Sequence, residues 1–145
     1  MKKRIQNSKL DIGFRVLKVD SSNFKDIYFS PDSINKESLF DTIEHIKEDR
    51  TPLDLLFGVL VDWGVDLSLP IKSKTVMGKE IFIVGYNDLI ACFEDELDIE
   101  FIKELAKEDA LRVVFKESSF KDDATKINTE QIFKQLAPNT DVRVI

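Results

Sequence analysis

With one cysteine and one histidine in 145 residues, the chain lacks the side chains for several chemistries at once. Cys92 cannot form an internal disulfide, and its place in the apolar run LIACF reads as a lone buried thiol. His45 falls between Glu44 and Ile46 on a predicted helix, so neither a histidine-based triad nor a two-histidine metal site can be built within one chain. The five glycines, Gly13, Gly58, Gly64, Gly78 and Gly85, are too far apart for a phosphate-cradling loop of the GxGxxG or Walker type. The four prolines are isolated, so no Pro-Pro pair occurs. No apolar run approaches the roughly 18 to 20 residues that cross a bilayer, and no signal-type segment follows the start MKKRIQNSKL. A soluble, cytoplasmic protein is the expectation.

The residues that are present suit a folded domain. An apolar fraction of 43% with eleven Phe, beside 33% charged residues, belongs to a globular chain and not a disordered one. One domain of this length buries roughly 70% of its unfolded surface. The formal charge of −6 opposes a chain built chiefly to grip nucleic acid. Charge is uneven, with a basic start at Lys2, Lys3, Arg4 and Lys9 and an acidic stretch, CFEDELDIE, around Glu94 to Glu100.

Hydrophobic periodicity predicts the elements. Residues 12–19, IGFRVLKV, alternate with period two as a half-buried strand whose Arg15 and Lys18 lie on or near the wet side. Within residues 35–49, Leu39, Phe40, Ile43 and Ile46 form one helical stripe. Thr51 and Pro52 open a second helix, LDLLFGVLVDW, which Gly64 stops; apolar on nearly every side, it belongs in the core or at an interface. Strands are predicted at about 74–77, 81–84 and 89–93, with Gly78 and Tyr86-Asn87-Asp88 as turns. Asp98 caps a helix to about Lys107, with Leu97 and Ile102 placed as a hydrophobic staple. A strand ALRVVF follows. Ser119 and Asp122 have capping-box spacing at the head of a helix that reaches Leu136, and DVRVI is the last strand. The expected fold is a single α/β domain with a mixed sheet: an antiparallel hairpin feeding parallel strands joined by crossover helices.

Carboxylates are the remaining candidates for catalysis. Glu94-Asp95-Glu96 or Asp122-Asp123 could hold Mg²⁺ in a small metal-dependent nuclease, which also needs a lysine on an adjacent strand. The strand LRVVFKE supplies Lys116, but no acid stands two residues before it, where the common nuclease pattern has one. Asp122 and Asp123 read better as first-turn residues favoured by the helix dipole. Lys121, Lys126 and Lys134 are candidate contacts for a partner's acids or for DNA, set against a plain solvated helix face.

Three stretches, LDIGFRVLKVDSSNFK, LIACFEDEL and LRVVFKESSFKDDATKINTEQIFKQLAPNTDVRVI, resemble the C-terminal region of the modification subunit of type III restriction-modification systems, the site-specific DNA adenine methyltransferases. The resemblance runs from about Leu10 to Ile145. Enzymes of that family are expected to bind S-adenosylmethionine through a Phe-x-Gly-x-Gly type loop and to hold a flipped adenine with an Asp-Pro-Pro-Tyr type motif. Neither motif occurs here, so no catalytic, cofactor-binding or metal residue carries over. The resemblance therefore implies a non-catalytic C-terminal domain of a longer S-adenosylmethionine-dependent enzyme, without its catalytic and target-recognition domains. The implied partners are the rest of the subunit, a second modification subunit and the restriction subunit, with DNA reached through the full complex. A metal-dependent nuclease and a nucleic-acid-binding accessory protein are the alternatives.

Overall fold

The computed structural model describes residues 13–26 and 46–145. Thr51 caps helix α1 (Pro52–Trp63), the first among the described residues: its hydroxyl accepts from the Asp54 amide while the Asp54 carboxylate accepts from the Thr51 amide, a reciprocal capping box. Gly64, at φ 66°, closes the helix in the left-handed conformation. Three antiparallel strands follow, β1 (Ile71–Val76), β2 (Lys79–Val84) and β3 (Leu89–Cys92). Helix α2 (Ile99–Ala106) leads to β4 (Arg112–Phe115), and α3 (Asp123–Leu136) leads to β5 (Asp141–Val144). The strands lie in sequence order, β1-β2-β3-β4-β5, and β3, β4 and β5 are mutually parallel. This is the predicted α/β architecture, hairpin and crossovers included.

Period-two alternation sorts the side chains of the central strands onto two faces. Val84, Leu89, Ala91 and Val114 pack with Leu55, Leu56, Val59 and Leu60 of α1. Ile81, Ile90, Cys92, Val113 and Phe115 pack on the opposite face with Phe101, Ile102 and Leu105 of α2 and Phe133 of α3. All four residues of β3 are buried because this strand is covered on both faces, which explains its unbroken apolar run. Burial pushes the Cys92 thiol up to about 11, consistent with the inert buried cysteine expected from its setting.

Two expectations need correction, and a third falls mostly outside the described residues. Residues 13–19 form no strand. The predicted helix over residues 35–49 falls mostly outside the described residues, as does His45; its described end is an isolated bridge from Ile46 to Phe24 followed by a turn. Ser119 does not cap α3. It sits fully buried in a short 3-10 turn (Glu117–Ser119), its hydroxyl without a partner, while Asp122 caps the helix by accepting from the Thr125 amide at 2.6 Å. A carboxylate three residues ahead of that amide reaches it directly, so the serine is free to serve the preceding turn. The Asp98 cap and the buried pair Leu97 and Ile102 stand as predicted.

Candidate interaction surface

The outer side of α1 carries the chain's least expected arrangement. Arg50, its side chain only 10% exposed, donates to the Asp20 carboxylate at 2.9 Å and to the Ser21 hydroxyl at 2.7 Å. Asn23 donates from Nδ2 to the Asp54 carbonyl at 2.8 Å and lies where a side chain on Gly58 would be: an added Cβ there would meet Nδ2 at 2.5 Å. Lys47 donates its amide to the Asn23 carbonyl. Residues 20–24 are thus clasped to the head of α1 by polar contacts.

Upstream of the clasp, Arg15 donates through Nη1 to the carbonyls of Leu67 and Leu69, both at 2.7 Å, and lies 6.0 Å from the Phe57 ring centroid. The neighbours of Arg15 are left outside. Phe14 is 87% exposed, Val16 81% and Val19 97%. Between this segment, α1 and the β1-β2 hairpin runs an open groove of about 460 Å³, lined by Arg15, Val16, Leu17, Leu53, Phe57, Ile71, Ser73 and Phe82. Further along α1, Trp63 lies 4.4 Å from the Arg143 guanidinium and 6.0 Å from that of Arg112, and Arg143 also pairs with Asp62 at 2.8 Å.

The lysines singled out from the sequence do not converge. Lys126 pairs with Glu117, and Lys134 stands 3.6 Å from Glu130 one helical turn away. Exposed pairs of that kind contribute roughly 0.3–0.5 kcal/mol. Lys121 is exposed just before α3, in a stretch pinned by its amide to the Leu97 carbonyl, and no ion pair of the described residues includes it. The acids separate likewise: Asp122 is the cap and Asp123 lies in the first turn of α3. Asp95, beyond the end of β3, accepts from the Lys116 ammonium at 2.8 Å and takes the Lys79 ammonium on its carbonyl. Among the described residues no three His, Cys, Asp or Glu side chains are grouped to hold a metal ion. No helix of the described residues is long and apolar enough to cross a membrane.

Arg15 and Arg50 were not legible as anchors. Arg15 read as a wet-side strand residue, since nothing local distinguishes an arginine facing water from one reaching carbonyls 52 residues away. Arg50, one residue before the Thr51-Pro52 helix start, carried a positional hint that only the contact with Asp20 interprets.

Several carboxylates here are held below their ordinary range. Asp54 is lowered by the Thr51 amide and hydroxyl, Asp122 by the Thr125 amide and hydroxyl, and Asp20 by the Arg50 guanidinium and the Ser21 amide. A depressed folded-state pKa means that the unfolded chain binds more protons. The contribution is complete above the ordinary carboxylate pKa of about 4 and is lost as pH falls through the lower folded values. Urea midpoints should therefore fall between pH 5 and pH 2. Asp54→Asn and Asp122→Asn, which keep an oxygen acceptor, should each flatten that slope; unchanged slopes would contradict the assignment.

No protein-family model and no curated protein matches the chain.

Proposed function

We propose that the chain is a non-catalytic assembly domain of a type III DNA adenine methyltransferase, joining the rest of the modification subunit, a second such subunit or the restriction subunit. The resemblance of residues 10–145 supplies the family; the observation that supports an assembly role is the row of exposed apolar residues beside the groove along α1. Phe14, Val16 and Val19 are more than four-fifths exposed on one short segment, next to Leu53 at 47%. Apolar surface of this kind, concentrated and bordered by arginine, marks a protein-binding face more often than a solvent face.

The test is to mix the chain with the catalytic and target-recognition part of a type III modification subunit made without its own C-terminal region. A stable complex by gel filtration is expected, together with no heat of S-adenosylmethionine binding to the isolated chain. Failure to associate, or micromolar cofactor binding by the chain alone, would overturn the reading.

One observation favours a second reading. Lys116, one residue beyond the end of β4, pairs with Asp95 and so brings a lysine beside an acid, as a metal-dependent nuclease requires. That reading requires Mg²⁺-dependent plasmid cutting that disappears in Asp95→Asn and in Lys116→Ala. Cutting that survives both changes belongs to a contaminant.

A further inference from the structure

We propose that residues 14–19 are a docking strand, which adds to an open sheet edge in the remainder of the modification subunit through main-chain hydrogen bonds. The identity of the partner rests on the assembly reading above; the mode of contact comes from the segment itself.

The main chain passes from residue 13 to residue 20 without a turn or bend. Among the described residues, no backbone amide or carbonyl of residues 14–19 is hydrogen-bonded. The same six residues expose Phe14, Val16 and Val19 almost completely. Each deficiency has its own cost, and one event removes both. Phe14 and Val16, two residues apart, fit one face of a pleated sheet, and a straight unpaired main chain fits a sheet edge. A helix laid in the groove would cover side chains and leave the amides open. Binding to DNA phosphates would use the charge and leave the apolar residues in water.

Arg15 presents the segment. Its two bonds to the Leu67 and Leu69 carbonyls fix one side of the chain to the domain, and Leu17, on the same side by alternation, is the less exposed at 50%. Phe14, Val16 and Lys18 alternate to the other side. The only charges in the segment are Arg15 and Lys18, both positive, in a chain of net charge −6. Opposite charges across a ladder stabilise pairing and like charges oppose it. Arg15 is held by the domain's own carbonyls, so the charge left for a partner is Lys18: the fitting occupant is an edge strand carrying Asp or Glu among apolar residues, whereas a second copy of this segment would set another lysine in the same ladder.

Hydrogen exchange on the full chain, alone and with the catalytic and target-recognition part used above, tests the proposal. Amides 14–19 should exchange at peptide rates in the chain alone and slow by about a hundredfold or more in the complex. Successive strand amides point to opposite edges, so one of Val16→Pro and Leu17→Pro removes a ladder donor. At least one of the two should weaken the complex by about tenfold or more, with the melting temperature of the chain unchanged. A complex in which amides 14–19 exchange freely overturns the docking strand and leaves the assembly reading standing. Absence of any complex overturns both. Protection in the chain alone overturns the stated occupant: a second copy takes its place if protection grows with concentration, and the chain's own residues if it does not.

Discussion

Replacing Phe115 with alanine is expected to destabilise the domain by about 3–5 kcal/mol, the range for a large aromatic removed from a packed core. Phe115 is fully buried at the end of the fourth strand, with ring centroids of Phe120 and Phe133 at 5.4 and 6.3 Å. These three rings join the sheet to the short turn before α3 and to α3 itself, so no single neighbour can move into the space without breaking another contact. A domain of this kind has a total stability of roughly 5–15 kcal/mol, so the loss would leave it marginal at 37 °C. Urea unfolding followed by circular dichroism measures the effect. Leu111→Ala, at a position 57% exposed one residue before the same strand, is the control and should stay within about 0.5 kcal/mol. A Phe115 variant that matched this control would mean that the ring cluster does not hold the helical layer to the sheet.

The second large effect is expected at Gly85. Its φ is +66°, in the turn between the second and third strands, and a Cβ built there would stand 1.9 Å from Asp88 Oδ2 and 3.0 Å from Asp88 Cγ. The same turn is tied by the Gly85 amide to the Pro70 carbonyl at 2.9 Å and by the Asp88 amide to the Val84 carbonyl at 3.1 Å. Gly85→Ala should cost about 1 kcal/mol for the left-handed backbone and roughly 1–2 kcal/mol more for displacing Asp88. The two parts are separable. Gly64, at the same φ of +66°, has nothing within 4 Å of its built Cβ, so Gly64→Ala carries the backbone cost alone. Combining Gly85→Ala with Asp88→Ala should recover the steric part, a non-additivity of about 1 kcal/mol or more in a double-mutant cycle. Strict additivity would show that Asp88 swings aside freely and that only the backbone term is real.

Both effects act on the sheet, where local pattern and final structure agree. The Thr51-Pro52 start and Gly64 stop of the first helix, the Asp98 cap and the apolar run LIAC each state their own conformation within a few residues. Capping, turn chemistry and hydrophobic period are short-range, and the order of strand, helix and strand in the second half leaves parallel pairing through crossovers as the economical topology. The error at Ser119 has the same origin. Two oxygen-bearing residues competed for one helix start, and the choice of Asp122 depends on the buried turn that Ser119 completes against the Leu97 amide.

The candidate surface was legible only in part. The sequence by itself determined the α/β class, the mixed sheet, the Thr51 and Asp98 helix caps and the burial of Cys92, because each follows from contacts close along the chain or from the period of apolar residues. Period two in residues 12–19 also announced a strand, which the described residues 13–19 do not form. Only the tertiary structure decided that Arg15 reaches the carbonyls of Leu67 and Leu69, that Arg50 and Asn23 clasp the chain to α1, and that Lys126 and Lys134 face their own acids. The physical reason is that amphipathic alternation records which residues prefer burial, whereas what buries them depends on main-chain positions tens of residues away and on surfaces beyond the segment itself.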